Sequence, residues 1–322
     1  MRIIERAEIE RAVSPAAAIA AVESAFAAYS RGEVVLPPVG YLRFEDPPGD
    51  THIKYGYRRG DPVFVVKIAS GFPGNAALGL STSSGMMIVL SARTGTPEAV
   101  LLDEGWLTDL RTAAAGAVAA RLLALRNPGM IGILGTGIQA RLQLDLLRHV
   151  TACRRALIWG RDAAKAGAVK AAGFTVETVS TVEEPAARCR LIVTTTAARS
   201  PLLLAGMIRP GTHITAVGAD APGKQELDAA LFARADVLAV DSREQCFDHG
   251  DSFHALTAAA VSRERFVELG EIITGVRPGR TNEGQITIAD LTGLAMQDIA
   301  VAKIACGIDE GLAREERDSH NR

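Results

Sequence analysis

The spacing of apolar residues changes its character along the chain. Residues 1–35 carry apolar positions at helical spacing after Ser14-Pro15, a pair typical of a helix start. Residues 37–100 instead alternate short β-rich runs with turn clusters, which predicts an antiparallel or mixed sheet. The predicted strands are Gly40–Phe44, His52–Tyr57, Val63–Ala69, Met86–Ser91 and Glu98–Asp103.

A long alanine-rich helix is predicted over Leu107–Leu125, and Asn127-Pro128-Gly129 ends it. Beyond that break strands and helices alternate, which is typical of βαβ units on a parallel sheet with helices on both faces. The predicted strands are Met130–Leu134, Ala156–Trp159, Leu191–Thr194, His213–Val217, Val237–Val240 and Gln285–Leu291. The predicted helices are Ile138–His149, Ala163–Ala172, Leu227–Ala233 and Gly293–Cys306. The expected fold class is α/β, a doubly wound parallel sheet joined to a mixed α+β domain.

Composition and charge narrow the function classes. The 322 residues are 48% apolar and carry a formal net charge of -2 without a basic stripe, so we expect no nucleic-acid partner. Apolar stretches end well before the ~18 residues of a membrane span, and the acidic N-terminus is unlike a signal peptide. We therefore expect a cytoplasmic protein with no membrane partner. Four cysteines without a CxxC pair favour free thiols and no metal site. The charged tail Glu310–Arg322 is expected to be frayed or disordered.

A glycine-rich turn follows the predicted strand Met130–Leu134 and opens a helix. In dinucleotide-binding folds the first glycine makes the tight turn, and the second lets the backbone approach a pyrophosphate at the helix N-terminus. A small third residue lets the helix pack closely on the strand. Glycine-rich turns are common, but this strand–turn–helix context predicts a Rossmann site for NAD(P)(H). The expected cofactor contacts in the turn are Gly135, Thr136, Gly137, Ile138 and Gln139.

The end of the second predicted strand bears on the choice of cofactor. NAD sites commonly place an acidic residue there, hydrogen-bonded to the ribose 2′-hydroxyl. This chain has Gly160 at that point, followed by Arg161, whose guanidinium can pair with a 2′-phosphate. The pattern favours NADP(H), although Asp162 leaves NAD(H) open. The alternative is that Arg161 is a solvated loop residue and Asp162 caps the next helix.

Five segments of the chain together resemble the ornithine cyclodeaminase / mu-crystallin family over residues 5–305. They are Lys67–Asn75, Leu107–Ala115, the glycine turn with Gln139-Ala140, Gly211–Leu227 and Asp290–Asp298. Within the family, residues 101–115 and 285–298 are most similar to the ectoine-utilisation branch, which is close to proteins that handle small imino acids.

The resemblance implies a homodimer of two-domain subunits. Residues 1–126 and 299–322 would form a substrate-binding and dimerisation domain, and residues 127–298 a dinucleotide-binding Rossmann domain. Family members oxidise amino acids or reduce imines with NAD(P), and some cyclise ornithine or lysine with loss of ammonia.

Three cations match family positions for holding a substrate carboxylate. They are Arg43, Lys67 and Arg111. Lys67 lies in an apolar strand, where an unpaired ammonium is costly, and this favours a ligand contact that also serves catalysis. Alternation could instead turn Lys67 to solvent, and Arg111 could form a surface or dimer ion pair. Arg43 has Arg58 and Arg59 as nearby alternatives.

Asp220 is the predicted acid/base residue. It follows a strand at the carboxyl end of the parallel sheet, where open α/β sheets bind ligands. A carboxylate there can stabilise an iminium, hand a proton to the substrate nitrogen or activate water. The alternative is a turn-forming aspartate ahead of Ala221-Pro222. Further expected cofactor contacts are Thr112, Thr194, Thr195 and Leu294.

Lys54 marks a departure from the ornithine-cyclising members. Those members carry a glutamate thirteen residues before the lysine that corresponds to Lys67, where it reads the far amino group of the substrate. Lys54 stands there in this chain. A cation repels an ω-ammonium and suits a second carboxylate. The alternative is that Lys54 faces solvent.

Three functions follow from these residues. The first is NAD(P)H-dependent reduction of a small α-imino acid, such as iminosuccinate or a cyclic imino acid, or the reverse amino-acid oxidation. The second is an ornithine-type cyclodeaminase that releases ammonia and uses NAD catalytically. The third, from another class, is a mu-crystallin-like protein that binds a small acid in an NADP-dependent way.

Overall fold

The computed structural model describes residues 1–308 and divides the chain into two units. One is formed by Met1–Arg111 with the chain from Ala295 onward, and the other by Thr112–Leu294. The predicted tail segment, residues 310–322, lies outside the described residues.

Both unit boundaries lie earlier in the chain than the predicted positions 126/127 and 298/299. The first falls inside the helix Trp106–Leu123, because the end of this helix bonds to the second unit: the Leu123 carbonyl accepts from Thr287 Oγ1 at 2.9 Å. The second falls before Ala295, because Asp298 pairs with Arg111 of the first unit. The sequence pattern did not predict the first boundary, because the helix continues through it without a break.

A mixed sheet forms the centre of the first unit, as predicted. Its seven strands are β1 (Arg2–Glu5), β2 (Val34–Val35), β3 (Gly40–Glu45), β4 (Pro48–Arg58), β5 (Val63–Gly71), β6 (Ser83–Ser91) and β7 (Pro97–Leu102). They lie in the order β1-β7-β6-β5-β4-β2, and β3 also pairs with β4. β1 runs parallel to β7 and the other pairs are antiparallel.

The two faces of this sheet differ sharply. Alternate residues such as Val63, Val65 and Met87 are buried, and the helix Ala295–Cys306 packs against β4, β5 and the helix Pro15–Ser30. The remaining helices of this unit are Arg6–Ala12 and the 3-10 turn Pro73–Leu78. Large apolar side chains on the opposite face are exposed: Leu42, Phe44, Tyr55, Tyr57 and Met86.

The second unit contains the predicted parallel sheet. Its strands are β8 (Ile131–Leu134), β9 (Arg155–Trp159), β10 (Thr175–Thr178), β11 (Leu191–Thr194), β13 (His213–Ala216), β15 (Val237–Val240), β16 (Phe266–Glu268) and β17 (Thr287–Asp290). A separate pair is formed by β12 (Arg199–Leu203) and β14 (Gln225–Leu227). The order β10-β9-β8-β11-β13-β17-β15-β16 places β8 between β9 and β11. The connections therefore reverse direction at β8, and the carboxyl ends of strands at such a point are where open α/β sheets bind ligands.

Apolar side chains cover both faces of the parallel sheet. Ile131 and Ile133 belong to one buried cluster, whereas Leu134 belongs to the other, as alternation along a strand requires. The helices of this unit are Ile138–Leu147, Ala163–Ala168, Glu183–Arg188, Ala229–Arg234, Arg243–His249, Asp251–Thr257 and Leu269–Ile273. The α/β fold class is thereby confirmed.

Within residues 1–308, no single helix is both long enough and apolar enough to cross a membrane. The bent pair Arg6–Ala12 and Pro15–Ser30 reaches it only when the two helices are taken together, across an 80° bend.

Candidate functional site

A buried cluster of charged side chains lies in the first unit, on the covered face of its sheet. Lys67 Nζ lies 2.8 Å from Asp298 Oδ2, and Arg111 Nε lies 3.0 Å from Asp298 Oδ1. Arg111 Nη1 donates to Gln297 Oε1 at 3.0 Å. The side chains of Lys67, Arg111 and Asp298 are 3%, 8% and 2% exposed. Two predicted carboxylate-binding residues are thus brought together around one aspartate.

Strand register adds a third cation to this cluster. Lys54 on β4 stands directly opposite Lys67 on β5, so both side chains project from the same face of the sheet. Lys54 is half-buried, which contradicts the alternative that it simply faces solvent. Arg43 pairs in register with Asp50 on the outer part of β4 and is exposed. Asp50 and Lys54 lie four residues apart on β4, so Arg43 projects from the same face of the sheet as Lys54, and its contact with a substrate carboxylate remains a prediction.

The electrostatics of the cluster favour an added anion. Burial, the largest cause, and the nearby cations Arg111 and Lys54 together lower the pKa of Lys67 to about 7, against the opposing effect of Asp298. Burial raises the pKa of Asp298, but Lys67 and Arg111 outweigh this and hold it below its usual value. Lys67 and Arg111 thus both pair with Asp298, and Lys54 adds positive charge beside them. A ligand carboxylate at this cluster would be attracted by these three cations.

A cavity of about 580 Å³ opens in the second unit at the carboxyl ends of β8, β9 and β11. Five predicted cofactor residues line it: Gly135, Thr136, Gly137, Arg161 and Thr195. Lys165 and Arg199 also line this cavity and were not anticipated, since a lysine inside a helix and an arginine at a strand start are ordinary surface residues.

Gly135 is required by its backbone and by its neighbours. Its φ is +138°, a region that side chains of L-residues avoid, and a Cβ there would lie 2.1 Å from Thr195 Oγ1 and 2.9 Å from the Thr195 carbonyl oxygen. Gly137 forms the N-cap of the helix Ile138–Leu147. This open cradle at a helix N-terminus fits a pyrophosphate, which accepts hydrogen bonds from backbone N–H groups.

Replacing Gly135 by alanine is expected to weaken NAD(P)H binding by about tenfold or more, because the new methyl group collides with Thr195 and strains the turn. Cofactor fluorescence titration measures the effect. Gly167→Ala is the matched control, since a Cβ at Gly167 meets nothing within 4 Å and alanine favours its helix. Equal affinity in both variants would contradict the assignment of the turn.

Packing at the end of β9 explains why Gly160 stands where NAD sites commonly have an acidic residue. A Cβ at Gly160 would lie 2.2 Å from Thr136 Cγ2, so this position is packed against the glycine turn. Asp162 accepts hydrogen bonds from Ala164 N and Lys165 N at 2.9 and 3.1 Å. Asp162 is therefore the N-cap of its helix, and both Arg161 and Asp162 line the cavity.

Asp220 lies in the loop after β13, with its side chain 52% exposed. Lys224 Nζ lies 2.6 Å from Asp220 Oδ1. An exposed carboxylate at the carboxyl end of a parallel strand is free to exchange protons with a ligand, and its acid/base role remains a prediction.

The other predicted cofactor residues divide into two groups. Thr194 is fully buried and its hydroxyl donates to Glu226 Oε2 at 2.6 Å, so it stands behind the cavity instead of lining it. Leu294 is buried. Gln143 Nε2 reaches the Thr112 carbonyl and Gln139 Oε1 at 3.4 Å, and Ile138 is exposed. For Leu294, Thr112, Gln139 and Ile138, cofactor contact remains a prediction.

Glu226 is the buried acid that the sequence did not single out. Its carboxylate touches the loops after β11 and β13. It lies within Gly211–Leu227, one of the segments behind the family resemblance, so that resemblance was the available signal.

The model of the ornithine cyclodeaminase/mu-crystallin family matches residues 1–307. The chain belongs to this family. A protein of Sinorhizobium fredii named as an uncharacterized cyclodeaminase is 42% identical over 95% of each chain.

Two solved structures of reductases are similar over nearly the whole chain. One is Thermococcus litoralis Δ1-pyrroline-2-carboxylate reductase in complex with NADH and L-proline, with 30% identity, TM-score 0.89 and coverage of 95% of this chain and 96% of that chain. The other is the iminosuccinate reductase of Paracoccus denitrificans in complex with NAD+, with 30% identity, TM-score 0.85 and coverage of 96% of both chains. The family thus includes proteins named for reductase and for cyclodeaminase activity.

Proposed function

We propose that this family member is an enzyme that reduces a small α-imino acid to an L-amino acid with NAD(P)H. The observation that carries the proposal is the cluster in which the buried Lys67 and Arg111 both pair with Asp298, with Lys54 beside them on the same face of the sheet. Clustered cations of this kind attract an anion, and an imino acid brings a carboxylate. The names of the similar reductases support the same reaction class.

Each residue has a definite task in this reaction. Lys67 and Arg111 bind the substrate carboxylate, and the planar guanidinium of Arg111 fixes its orientation. Bound NAD(P)H supplies a hydride for the imine carbon. As the C=N electron pair passes to the nitrogen, protonated Asp220 would donate one proton to that nitrogen and would regain a proton from solvent. The glycine turn holds the pyrophosphate of the cofactor.

The cofactor is proposed to be NADP(H) in preference to NAD(H). Arg161, Lys165 and Arg199 line the cavity of the second unit, and these three cations suit a 2′-phosphate. Asp162, which also lines this cavity, is engaged in capping its helix. The complexes of the similar reductases hold NADH and NAD+, so NAD(H) is the alternative to be compared directly.

Cyclodeamination is the second candidate, favoured by the name of the Sinorhizobium fredii relative. Lys54 disfavours ornithine as the substrate, because the Lys54 ammonium would repel the ω-ammonium of ornithine. A second carboxylate would instead be attracted, which favours a dicarboxylic imine such as iminosuccinate. A purely binding role, the third candidate, would make no use of the acid/base group at Asp220.

A homodimer is proposed from the exposed face of the first unit's sheet. Leu42, Phe44, Tyr55, Tyr57 and Met86 leave on it an apolar surface that a second copy of the chain can cover. Sedimentation of the purified protein is expected to give twice the 33.9 kDa of one chain. A mass of one chain at micromolar concentration would contradict this.

Steady-state assays with a substrate panel test the reaction class. The panel contains imines formed from oxaloacetate or pyruvate with ammonia, a cyclic imino acid, and ornithine, each assayed with NADPH and with NADH. We expect stoichiometric oxidation of the reduced cofactor with an imino acid, faster with NADPH. Ammonia release from ornithine with no net change in cofactor would favour the cyclodeaminase instead.

Replacing Lys54 by glutamine is expected to lower kcat/KM for iminosuccinate about tenfold relative to a monocarboxylic imino acid. Only iminosuccinate has a second carboxylate, and the variant removes the ammonium that would bind it. The ratio of the two kcat/KM values is the measurement. Lys54→Arg keeps the charge and is expected to keep most of the ratio. An unchanged ratio in Lys54→Gln would remove the dicarboxylate hypothesis.

A further inference from the structure

Glu226 is fully buried at the middle of β14, and its carboxylate accepts four hydrogen bonds. Oε2 accepts from Thr194 Oγ1 at 2.6 Å and from the Gly218 N–H at 2.8 Å. Oε1 accepts from the Thr196 N–H at 2.6 Å and from Thr196 Oγ1 at 2.7 Å. Each oxygen therefore holds one backbone N–H and one threonine hydroxyl.

These four donors come from two different loops. Thr194 and Thr196 flank Thr195, which lines the cavity of the second unit and whose hydroxyl lies against Gly135. Gly218 stands two residues before Asp220, on the loop that follows β13. Glu226 is thus bonded to the cofactor loop and to the acid loop at once.

The link lies just where direct pairing between the two strands ends. β11 and β13 pair up to Thr194 opposite Ala216, and the last ladder bond joins the Val217 N–H to the Thr194 carbonyl. The next backbone donor, Gly218 N–H, turns to Glu226 instead. The carboxylate therefore continues the connection between the two loops after their backbones separate.

Close packing leaves the linkage little freedom. A Cβ at Gly218 would lie 2.6 Å from the Glu226 carboxyl carbon and 2.1 Å from the Thr196 carbonyl oxygen. Glu226 is itself fixed from behind, because Asp251 Oδ1 accepts from the Glu226 and Leu227 N–H groups at 2.8 and 2.9 Å. Small changes at Glu226 are therefore transmitted to both loops.

We infer that Glu226 is a positioning residue that sets the spacing between the cofactor loop, residues 194–196, and the acid loop, residues 218–220. The inference rests on the proposed function for its effect on turnover. Glu226 acts through Thr195 and Asp220, and it is not proposed to contact a reacting atom itself. A displacement of about 1 Å between reacting groups can cost on the order of 100-fold in rate.

The test variant is Glu226→Gln in the full-length protein. A glutamine has the same size, but its NH2 group must face either the Thr196 N–H or the Gly218 N–H, and neither can accept a hydrogen bond. One loop is therefore released. We expect kcat for imine reduction to fall about 10- to 100-fold while the substrate KM stays within about twofold, because the carboxylate-binding cluster is unchanged.

Hydrogen–deuterium exchange provides a readout that needs no turnover. In Glu226→Gln, exchange is expected to rise in residues 194–198 or in residues 218–224, whichever loop is released, and to stay unchanged in β8 and β9. Glu226→Asp keeps both acceptor oxygens and is expected to restore part of kcat. Asp61→Asn is the matched control: the Asp61 side chain is only 8% exposed and pairs with Lys303 Nζ at 2.8 Å in the first unit, whereas both loops belong to the second.

The possible outcomes separate this inference from the proposed function. If no imino acid is reduced by the unaltered protein, the proposed function fails, and the exchange experiment still decides the role of Glu226. The inference is overturned if exchange in both loops is unchanged in Glu226→Gln. It is also overturned if Asp61→Asn lowers kcat as much as Glu226→Gln does, since loss of stability alone would then explain both.

Discussion

Lys67→Met is expected to lower kcat/KM for imine reduction by about 100- to 1,000-fold, the loss typical of truncating one side of a buried charge pair. Methionine keeps the length and apolar stem of lysine and removes only the ammonium. Asp298 remains paired with Arg111 Nε at 3.0 Å, so the cluster keeps Arg111 and Lys54 and the fold is expected to be preserved. Steady-state kinetics with the best imino acid of the panel measures the loss.

Lys303→Met is the matched control for this variant. Lys303 belongs to the same unit and is equally buried, with its Nζ 2.8 Å from Asp61 Oδ2. Removing the ammonium of Lys303 takes away the cation that pairs with the buried Asp61 carboxylate. We therefore expect a lower free energy of unfolding but an unchanged kcat/KM. Equal losses of kcat/KM in the two variants would show that Lys67 acts only through stability.

The pH dependence gives a second readout for Lys67. Burial holds its pKa at about 7 instead of 10.5, so its charge in the free protein is lost as pH rises through about 7. The substrate KM is therefore expected to rise above that pH, and Lys67→Arg, which stays charged, to flatten the rise. The sign for folding is opposite: the unfolded chain binds the extra proton between about 7 and 10.5, so this group makes the protein more stable as pH rises there.

Asp220→Asn is expected to lower kcat by about 100- to 10,000-fold while the dissociation constant of NAD(P)H changes less than about twofold. An asparagine keeps the shape of the side chain but cannot carry the proton of the substrate nitrogen. Because Asp220 is half-exposed, the substitution is expected to leave the free energy of unfolding nearly unchanged. Single-turnover kinetics and cofactor titration together measure the two effects.

Asp248→Asn serves as the control for Asp220. Asp248 is a 78%-exposed acid of the same unit that pairs with its neighbour His249. We expect its removal to leave kcat unchanged. If the Asp220→Asn variant were fully active, a group other than Asp220 would have to exchange the proton with the substrate nitrogen.

Local patterns predicted the parts of the fold that local sequence determines. The strands Leu191–Thr194 and Val237–Val240 were predicted with their observed bounds, because short apolar runs between turns mark buried parallel strands. The strand Arg2–Glu5 was not predicted, since it is held by pairing with residues 99–102 instead of by its own pattern. The same is true of Thr175–Thr178 and Phe266–Glu268, which depend on their neighbours in the sheet.

The candidate site shows the same division. The glycine turn could be found because its chemistry lies in consecutive residues, and the cavity beside it is lined by the expected glycines. That Lys67 shares Asp298 with Arg111 depends on residues far apart in sequence, so no spacing could show it. Arg43 matched a family position, and its contact with a substrate carboxylate remains a prediction. Glu226 was not singled out, because only the fold buries it and brings the two loops to its carboxylate.

Transfer of deuterium from cofactor to product tests the central claim most directly. The purified protein is given NADPH deuterated at the transferable position of the nicotinamide, together with the imino acid that it turns over fastest. Mass spectrometry is expected to find one deuterium at the α-carbon of the amino acid and one oxidised cofactor for each product molecule. A product without deuterium, formed without net oxidation of NADPH, would contradict the assignment as an imino-acid reductase.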